Sequence, residues 1–284
     1  MTARDFFYRP SGSLRAAWQW AGFLLITAGV ALLAVATIQA VARGVLSPEA
    51  MAFWSLLAGL AAAHLIMLRV VDRQPWSVVG LAGPQAAPRR LAIGFALGAL
   101  GILVPSGVLL LVHDLRAEPV SHAAASWWRF AAGMAAFFLP QSLAEEMLAR
   151  GYLFSSTRAA IGWPAALAIT SALFGLLHLG NPGADAQSVG IVMFAGVFLG
   201  AIRLATDSLY AAWTAHFAWN WSMAALLHTA VSGQAVSVPG YRVVDSGPDW
   251  LTGGAGDPAG ETAAVAGMTA CLAGLVMWRH RASR

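Results

Sequence analysis

Eight apolar runs, each close to the length that a helix needs to cross a bilayer, dominate this chain of 284 residues. A membrane-spanning helix requires about 20 mostly apolar residues. Two of the runs are short, and the full set covers residues 16–42, 50–70, 91–112, 127–157, 164–180, 188–205, 208–230 and 261–278. With 58% hydrophobic and only 11% charged residues, the composition is typical of a polytopic membrane protein. The sequence therefore predicts an all-α membrane protein of about eight transmembrane helices.

The arginines predict how these helices are oriented, because short cytoplasmic connections are enriched in positive charge. With the N-terminus inside, thirteen arginines, Arg150 among them, fall in cytoplasmic segments. Only four fall outside: Arg43, Arg116, Arg129 and Arg242. This asymmetry predicts that both termini are cytoplasmic. The arginines form no basic cluster interleaved with aromatic residues, so no nucleic-acid partner is expected.

The chain divides into three parts. Residues 1–126 carry three predicted helices and a proline-rich segment, 72–90, that we expect to lie along the membrane interface. Residues 127–230 hold four helices and the polar motifs described next. Residues 231–284 combine a stretch rich in Gly, Pro, Ser and Asp, which is typical of an irregular outer loop, with the last helix. Cys271 is the only cysteine, which excludes a disulfide framework and a zinc–cysteine site.

The most informative stretch is Glu145-Glu146-Met147-Leu148-Ala149-Arg150, which lies inside the fourth apolar run. Ionisable groups at bilayer depth are costly and are candidates for function. On a helix, Glu146 and Arg150 fall on one face and can pair, whereas Glu145 points about 100° away. Glu145 is therefore the carboxylate that is left to act as a general base.

Two further polar pairs follow, each spaced four residues apart and so on one helix face. They are Phe174 with His178, and His216 with Asn220. Each alone is more often explained by packing, since a histidine or asparagine in a membrane helix commonly bonds to a neighbouring helix. The same interpretation applies to two other histidines in apolar runs, His64 and His228. The joint occurrence of all these polar groups on three helices favours a functional site.

These residues resemble the CAAX-protease and bacteriocin-processing (CPBP, or Abi) family of intramembrane proteases, relatives of the Ras-converting prenyl endopeptidase. The family pattern is Glu-Glu-x-x-x-Arg, then Phe-x-x-x-His, then His-x-x-x-Asn. All three elements are present in order, at the residues named above, and the resemblance covers about residues 127–228. One departure is Ala149, where a phenylalanine commonly precedes the arginine.

The resemblance implies hydrolysis of a peptide bond within the membrane by a catalytic core at 127–230. Glu145 and His178 would activate a water molecule, while His216 and Asn220 would polarise the scissile carbonyl. An amide and an imidazole N–H are suitable oxyanion donors in a site shielded from bulk water. A serine nucleophile is less attractive, because Ser142 has no base beside it in the sequence. The resemblance gives supporting roles to Glu146, Arg150 and Phe174.

A zinc ion is an open alternative on the sequence alone. Glu145, His178 and His216 are a ligand set of the kind that metal hydrolases use, with a fourth position for water. Against zinc, asparagine is a poor ligand and the chain has no His-Glu-x-x-His helix. The family is often labelled metalloprotease, and a metal-free mechanism based on glutamate has also been proposed for it.

Depth along the helices supplies a further expectation. At 1.5 Å per residue, Glu145 lies about 27 Å below the outer end of its helix and His216 about 13 Å above the inner end of its own. His178 lies about 21 Å from the inner end by the same count, which is too high unless its helix is tilted. We expect a cleft that opens towards the cytoplasm or sideways to lipid.

The resulting hypothesis is a multi-pass protein, of a bacterial inner membrane, that cleaves a membrane-associated peptide or protein of prenylated or bacteriocin type. Two rivals are retained. One is a non-catalytic immunity or scaffold protein of the same fold. The other is a proton-coupled transporter with buried Glu and His residues, against which the absence of an internal repeat counts.

Overall fold

The structure is a computed structural model that describes residues 15–41, 44, 47–120, 126–234, 239–252 and 262–282. The two chain ends and Arg43 lie outside these residues. The predicted cytoplasmic location of the termini therefore stays a prediction.

Each apolar run of the sequence contains at least one helix. The helices are α1 (Ala16–Val41), α2 (Pro48–Ile66), α3 (Pro88–Leu111), α4 (Trp127–Glu146), α5 (Leu153–Ile161), α6 (Trp163–Leu177), α7 (Ala186–Thr206), α8 (Leu209–Ser222), the single turn α9 (Asp249–Thr252) and α10 (Thr262–Ala282). Wider π-helical turns directly follow α2, α4 and α8, at Met67–Val71, Met147–Tyr152 and Met223–Leu227. Two 3₁₀ turns connect α2 to α3, at Trp76–Val79 and Gly83–Ala86.

Four of the described helical segments are long and apolar enough to cross a membrane. They are Ala16–Val41, Pro48–Val71, Pro88–Leu111 and Ala186–Thr206. Two shorter apolar helices, Trp163–Leu177 and Thr262–Trp278, accompany them. The chain is thus a helical membrane protein, as its composition predicts, while the number of eight spans stays a prediction.

The fourth apolar run was predicted to be one helix, which is wrong. It forms two helices, joined by the π-helical turn Met147–Tyr152, which is called the π turn below. Gly151 has a ψ of −117°, far from the helical value of about −42°. The turn comes directly after Glu145 and Glu146. It therefore sets how these two carboxylates are placed relative to Arg150, which lies inside it.

Helix α8, which carries His216 and Asn220, packs closely against α3. A Cβ added to Gly94 would lie 2.0 Å from the carbonyl oxygen of Ala211, and one added to Gly98 would lie 1.9 Å from that of Ala215. Glycines permit this approach of two backbones, as they do at many helix contacts in membranes. The two helices run parallel along this seam, and the seam ends one residue before His216.

A two-stranded ribbon interrupts the all-α plan. Strand β1 (Leu115–Pro119) pairs antiparallel with β2 (Tyr241–Asp245), with Arg116 opposite Val244. The prediction of an irregular loop over 231–260 is therefore wrong for the residues of β2. Strand pairing between segments so distant in sequence leaves no local sequence pattern that could have predicted it. Two bonds at Tyr241 fix the ribbon to the π-helical turn that follows α8. The Tyr241 hydroxyl donates to the Leu226 carbonyl, and the Tyr241 carbonyl accepts from His228 Nδ1, both at 2.7 Å.

The molecule has two distinct ends. The ribbon lies at one of them, with the start of α2 and the last residues of α8, and we call this the ribbon end. The opposite end, called the arginine-rich end, carries Arg69, Arg73, Arg89, Arg90, Arg158 and Arg203. There the connection between α2 and α3 meets the turn between α7 and α8: Gln85 Nε2 donates to the Asp207 carbonyl at 2.7 Å.

Candidate active site

Three helices bring the polar residues of the motifs together in the middle of the molecule. Helix α4 ends with Glu145 and Glu146, His178 directly follows α6, and α8 carries His216 and Asn220. All of these residues are buried or nearly so. The site is therefore assembled from segments that are far apart in sequence but share one level of the fold.

Glu146 and Arg150 form the predicted ion pair, with 3.1 Å between Oε1 and Nη1 and no solvent exposure of either side chain. Arg150 Nη2 also donates to the Gly196 carbonyl at 3.0 Å, and its guanidinium lies 4.2 Å from the centre of the Phe174 ring. These contacts make Arg150 a structural element of the site. Its use as a cytoplasmic marker was wrong, because a fully buried, paired arginine reports nothing about the membrane surface.

Glu146 has a second partner that the sequence did not reveal. Its Oε1 lies 2.9 Å from His216 Nδ1. Since an ionised carboxylate only accepts hydrogen bonds, the proton of this bond belongs to Nδ1. In the neutral imidazole, Nε2 of His216 is then an acceptor, and it becomes a donor only in the imidazolium form.

Glu145 is turned away from Arg150 and towards the two imidazoles. Its Oε1 accepts a hydrogen bond from Gln141 Nε2. Its Oε2 is buried and has no hydrogen-bond partner among the described residues. This oxygen lies 3.8 Å from Nε2 of His178 and 3.8 Å from Nε2 of His216. One unpartnered carboxylate oxygen thus faces both ring nitrogens.

His178 is held in a defined orientation by its own helix. Its Nδ1 lies 2.7 Å from the Phe174 carbonyl, which can only accept, so Nδ1 carries the proton and the neutral Nε2 is free to accept. The height mismatch expected from counting residues is not present, since Nε2 reaches to within 3.8 Å of Glu145 Oε2.

Gln141 is the site residue that the sequence reasoning missed. It donates to Glu145, and its Oε1 accepts from Asn220 Nδ2 and from Ser142 Oγ, both at 3.3 Å. It therefore links the carboxylate to the amide that was predicted as an oxyanion donor. Its position one turn before Glu145, on the same helix face, was the available signal. Ser142 is buried and bonded to an amide, which does not support it as a nucleophile.

A cavity of about 570 Å³ reaches the site. Its walls are mostly apolar, and Glu145, His178, Gln141 and Asn220 contribute polar groups. The other polar lining residues, at the ribbon end of the molecule, are Glu49, Asn181, Ser232 and Gln234. Which end of the molecule is cytoplasmic is itself a prediction, so the expected opening towards the cytoplasm or sideways to lipid stays a prediction too. The helix-by-helix depth count could not show that His178 and the 231–234 segment lie on the ribbon side of Glu145.

A smaller cavity of about 80 Å³ lies on the other side of Phe174. It shares His178 and Asn220 with the large cavity and adds His216 to the lining. Its other walls are mostly apolar and come mainly from α7, α8 and α10, including Ala195, Phe198, Ala215 and Met268, while Ser232 adds a polar group. The polar centre thus lies between two apolar spaces.

The residues do not form a metal site as they stand. Within the described part of the chain, no group of three His, Cys, Asp or Glu side chains is arranged to hold a metal ion. Tetrahedral zinc with bonds of about 2.0–2.1 Å brings neighbouring ligand atoms to about 3.4 Å of each other, and the Glu145–imidazole separations of 3.8 Å exceed this. We therefore derive no step through a metal.

The fold and site define a class: a helical membrane protein with a buried carboxylate, two imidazoles and a carboxamide at the end of an apolar cavity. Residues 126–222 match the family model described as type II CAAX prenyl endopeptidase Rce1-like, which supports the resemblance of this segment to the CPBP proteins related to that peptidase. The matched segment begins just before α4 and ends with α8. No curated protein and no solved structure matches the chain.

Proposed function

We propose that this protein is an intramembrane endopeptidase that hydrolyses a peptide bond of a membrane-associated peptide or protein, with water activated by Glu145 and His178. The family match supports a peptidase in general. The observation that carries the mechanism is the buried Oε2 of Glu145, which lacks a partner among the described residues and lies 3.8 Å from the Nε2 atoms of both imidazoles.

The geometry suits a water molecule between Glu145 and His178. Hydrogen bonds of about 2.7–2.9 Å from one water oxygen to each of two acceptors 3.8 Å apart subtend an angle near a right angle, which a water with two donated hydrogens can adopt. One hydrogen would point to Oε2 of Glu145 and the other to Nε2 of His178. The oxygen lone pair is then free to attack a carbonyl carbon.

In the chemical step, the water oxygen bonds to the carbonyl carbon and its proton passes to Glu145. The resulting oxyanion needs hydrogen-bond donors that are fixed in advance. Asn220 Nδ2 has two hydrogens and uses one for Gln141, so the other can serve. His216 contributes only as an imidazolium, whose charge Glu146 would neutralise across their 2.9 Å contact. Glu145 then returns the proton to the leaving amine as the C–N bond breaks.

The cavity supports a substrate with an apolar segment. Lining residues such as Phe53, Phe137 and Leu177 offer apolar contacts along its length, and Glu49 with Gln234 mark the polar ribbon end. A prenylated peptide and an unmodified hydrophobic peptide share this chemistry. The location that we propose for this activity is a bacterial inner membrane.

The test uses the purified full-length protein in detergent with a library of short farnesylated and unmodified peptides. Replacing a general base lowers the rate by about 10²–10⁴-fold, which is the loss expected for Glu145→Gln and for His178→Gln. The matched control is His228→Gln, another buried histidine, which bonds to the Tyr241 carbonyl and lines neither cavity. It should retain full activity.

Four results would contradict the proposal or the roles that it gives to Glu145 and His178. Full cleavage activity in Glu145→Gln would show that Glu145 is not the general base. Binding of a peptide without cleavage by the unaltered protein indicates a scaffold or immunity role, and proton-driven solute flux in liposomes without peptide cleavage indicates a transporter. Cleavage is also expected to persist after dialysis against a chelator, so loss that zinc alone restores would overturn the metal-free roles of Glu145 and His178.

A further inference from the structure

His64, which the sequence suggested was an ordinary packing residue, contacts the π turn directly. It lies on α2, outside the segment that matches the family model, and its side chain is fully buried. Its Nε2 accepts a hydrogen bond from the backbone N–H of Tyr152 at 3.2 Å. This bond spans 88 residues and joins the N-terminal helices to the segment that carries the two glutamates.

The donor and acceptor of this bond are both fixed by their surroundings. His64 Nδ1 lies 2.8 Å from the Leu60 carbonyl, so Nδ1 carries the proton and Nε2 presents its lone pair. On the other side, the ψ of −117° at Gly151 rotates the peptide between Gly151 and Tyr152 out of the helical direction. That rotation is what turns the Tyr152 N–H towards the ring.

The ring and the backbone fit each other closely. A Cβ at position 151 would lie 2.4 Å from His64 Nε2, so the contact requires glycine there. The His64 ring is itself held by Phe23, whose ring is edge-on at 5.0 Å and also stacks on Tyr152 at 5.2 Å. The imidazole thus has little room to move away from the π turn.

The π turn in turn positions the site. Arg150 lies within it and binds Glu146, and Glu146 binds His216 Nδ1. We propose that His64 is a positioning residue: it fixes the π turn and, through Arg150 and Glu146, the orientation of the His216 imidazole. The expected effect on the cleavage rate rests on the proposed function, whereas the hydrogen bond between His64 and Tyr152 does not depend on it.

The experiment compares three substitutions of His64 in the full-length protein. His64→Phe keeps the ring shape without the acceptor. His64→Gln places a carbonyl oxygen near the position of Nε2, and His64→Asn places one near that of Nδ1. Met67→Ala is the control, because it removes a buried side chain of the same apolar cluster without removing the acceptor. Hydrogen–deuterium exchange of the peptide covering 147–153 and the kinetics of peptide cleavage are measured for each.

We expect faster amide exchange in the π turn for His64→Phe and His64→Asn, with kcat lowered by about 10-fold or more and KM within about 2-fold, as misplacement of a reacting group predicts. His64→Gln should show amide exchange at 147–153 and a kcat close to those of the unaltered protein. Met67→Ala should lower the unfolding temperature but leave the exchange at 147–153 and kcat unchanged.

Two outcomes would overturn the proposal: unchanged exchange in His64→Phe, or faster exchange with kcat unaltered. Failure of the proposed function is recognised separately. If the unaltered protein cleaves no peptide, the exchange data still decide whether His64 holds the π turn. Exchange around residue 216 on α8 then reports whether His216 is affected.

Discussion

At the scale of single residues, two adjacent glutamates have different partners, and the roles proposed for them follow from this difference. Glu146 is fully buried between Arg150 and His216, at 3.1 and 2.9 Å, and both contacts use the same oxygen. Each glutamate keeps an Oε2 without a hydrogen-bond partner in the described structure, but only Glu145 lines the large cavity. A carboxylate paired with a buried arginine stabilises the fold, whereas a carboxylate that lines a cavity without such a pair is available for chemistry.

This difference predicts opposite effects of the same substitution on stability. Glu146→Gln leaves the buried guanidinium of Arg150 without its counter-ion, and breaking a buried pair costs about 3–5 kcal/mol. Glu145→Gln removes a charge that forms no ion pair with an arginine among the described residues, so we expect unchanged or increased stability. Unfolding by SDS titration, followed by circular dichroism, measures both.

The double variant Glu146→Gln with Arg150→Gln serves as the control for this prediction. It removes both charges, so it should recover part of the stability that Glu146→Gln loses. An equal loss in Glu145→Gln and Glu146→Gln would contradict the division of roles, as would a double variant that is no more stable than Glu146→Gln alone.

At the scale of helices, the glycine seam between α3 and α8 decides where His216 lies. A Cβ at Gly98 would meet the carbonyl oxygen of Ala215 at 1.9 Å, and the residue after Ala215 is His216. Because the obstacle is backbone rather than a flexible side chain, α8 itself would have to shift. The histidine would move with it.

We therefore expect Gly98→Ala to destabilise the protein by about 1–3 kcal/mol, as overpacking does, and to lower kcat about 10-fold or more through displacement of His216. Gly107→Ala on the same helix is the matched control, since nothing lies within 4 Å of its added Cβ. It should be neutral or stabilise by up to about 1 kcal/mol. Equal stability in SDS titration and equal cleavage rates of the two variants would contradict the role of the glycine seam in placing His216.

The helices and the pair Glu146–Arg150 were predictable from the sequence for a physical reason. Apolar length and the spacing of four residues are local properties, so the apolar runs and the pair Glu146–Arg150 could be derived directly. The bond from Glu146 to His216, the contact of His64 with Tyr152 and the strand Tyr241–Asp245 all join distant segments. No local pattern specifies such contacts, and they appear only once the chain is folded.

At the scale of the whole molecule, charge and cavity lie at opposite ends. The arginines of the arginine-rich end other than the buried, paired Arg203 predict that this end faces the cytoplasm. The polar lining residues of the large cavity lie at the ribbon end. If both statements hold, a substrate reaches Glu145 from the outer side or sideways from the lipid, and not from the cytoplasm.

This arrangement predicts which surface positions can be labelled from outside. In a Cys271→Ser background, free of native thiols, Gln234→Cys at the ribbon end should react with a membrane-impermeant maleimide in intact cells. Ala159→Cys at the arginine-rich end, also exposed, should react only after the cells are opened. The reverse pattern would place the cavity on the cytoplasmic side, and the arginines would then have failed as an orientation signal. Because neither substitution removes an arginine, the labelling reports the orientation that the native charges establish.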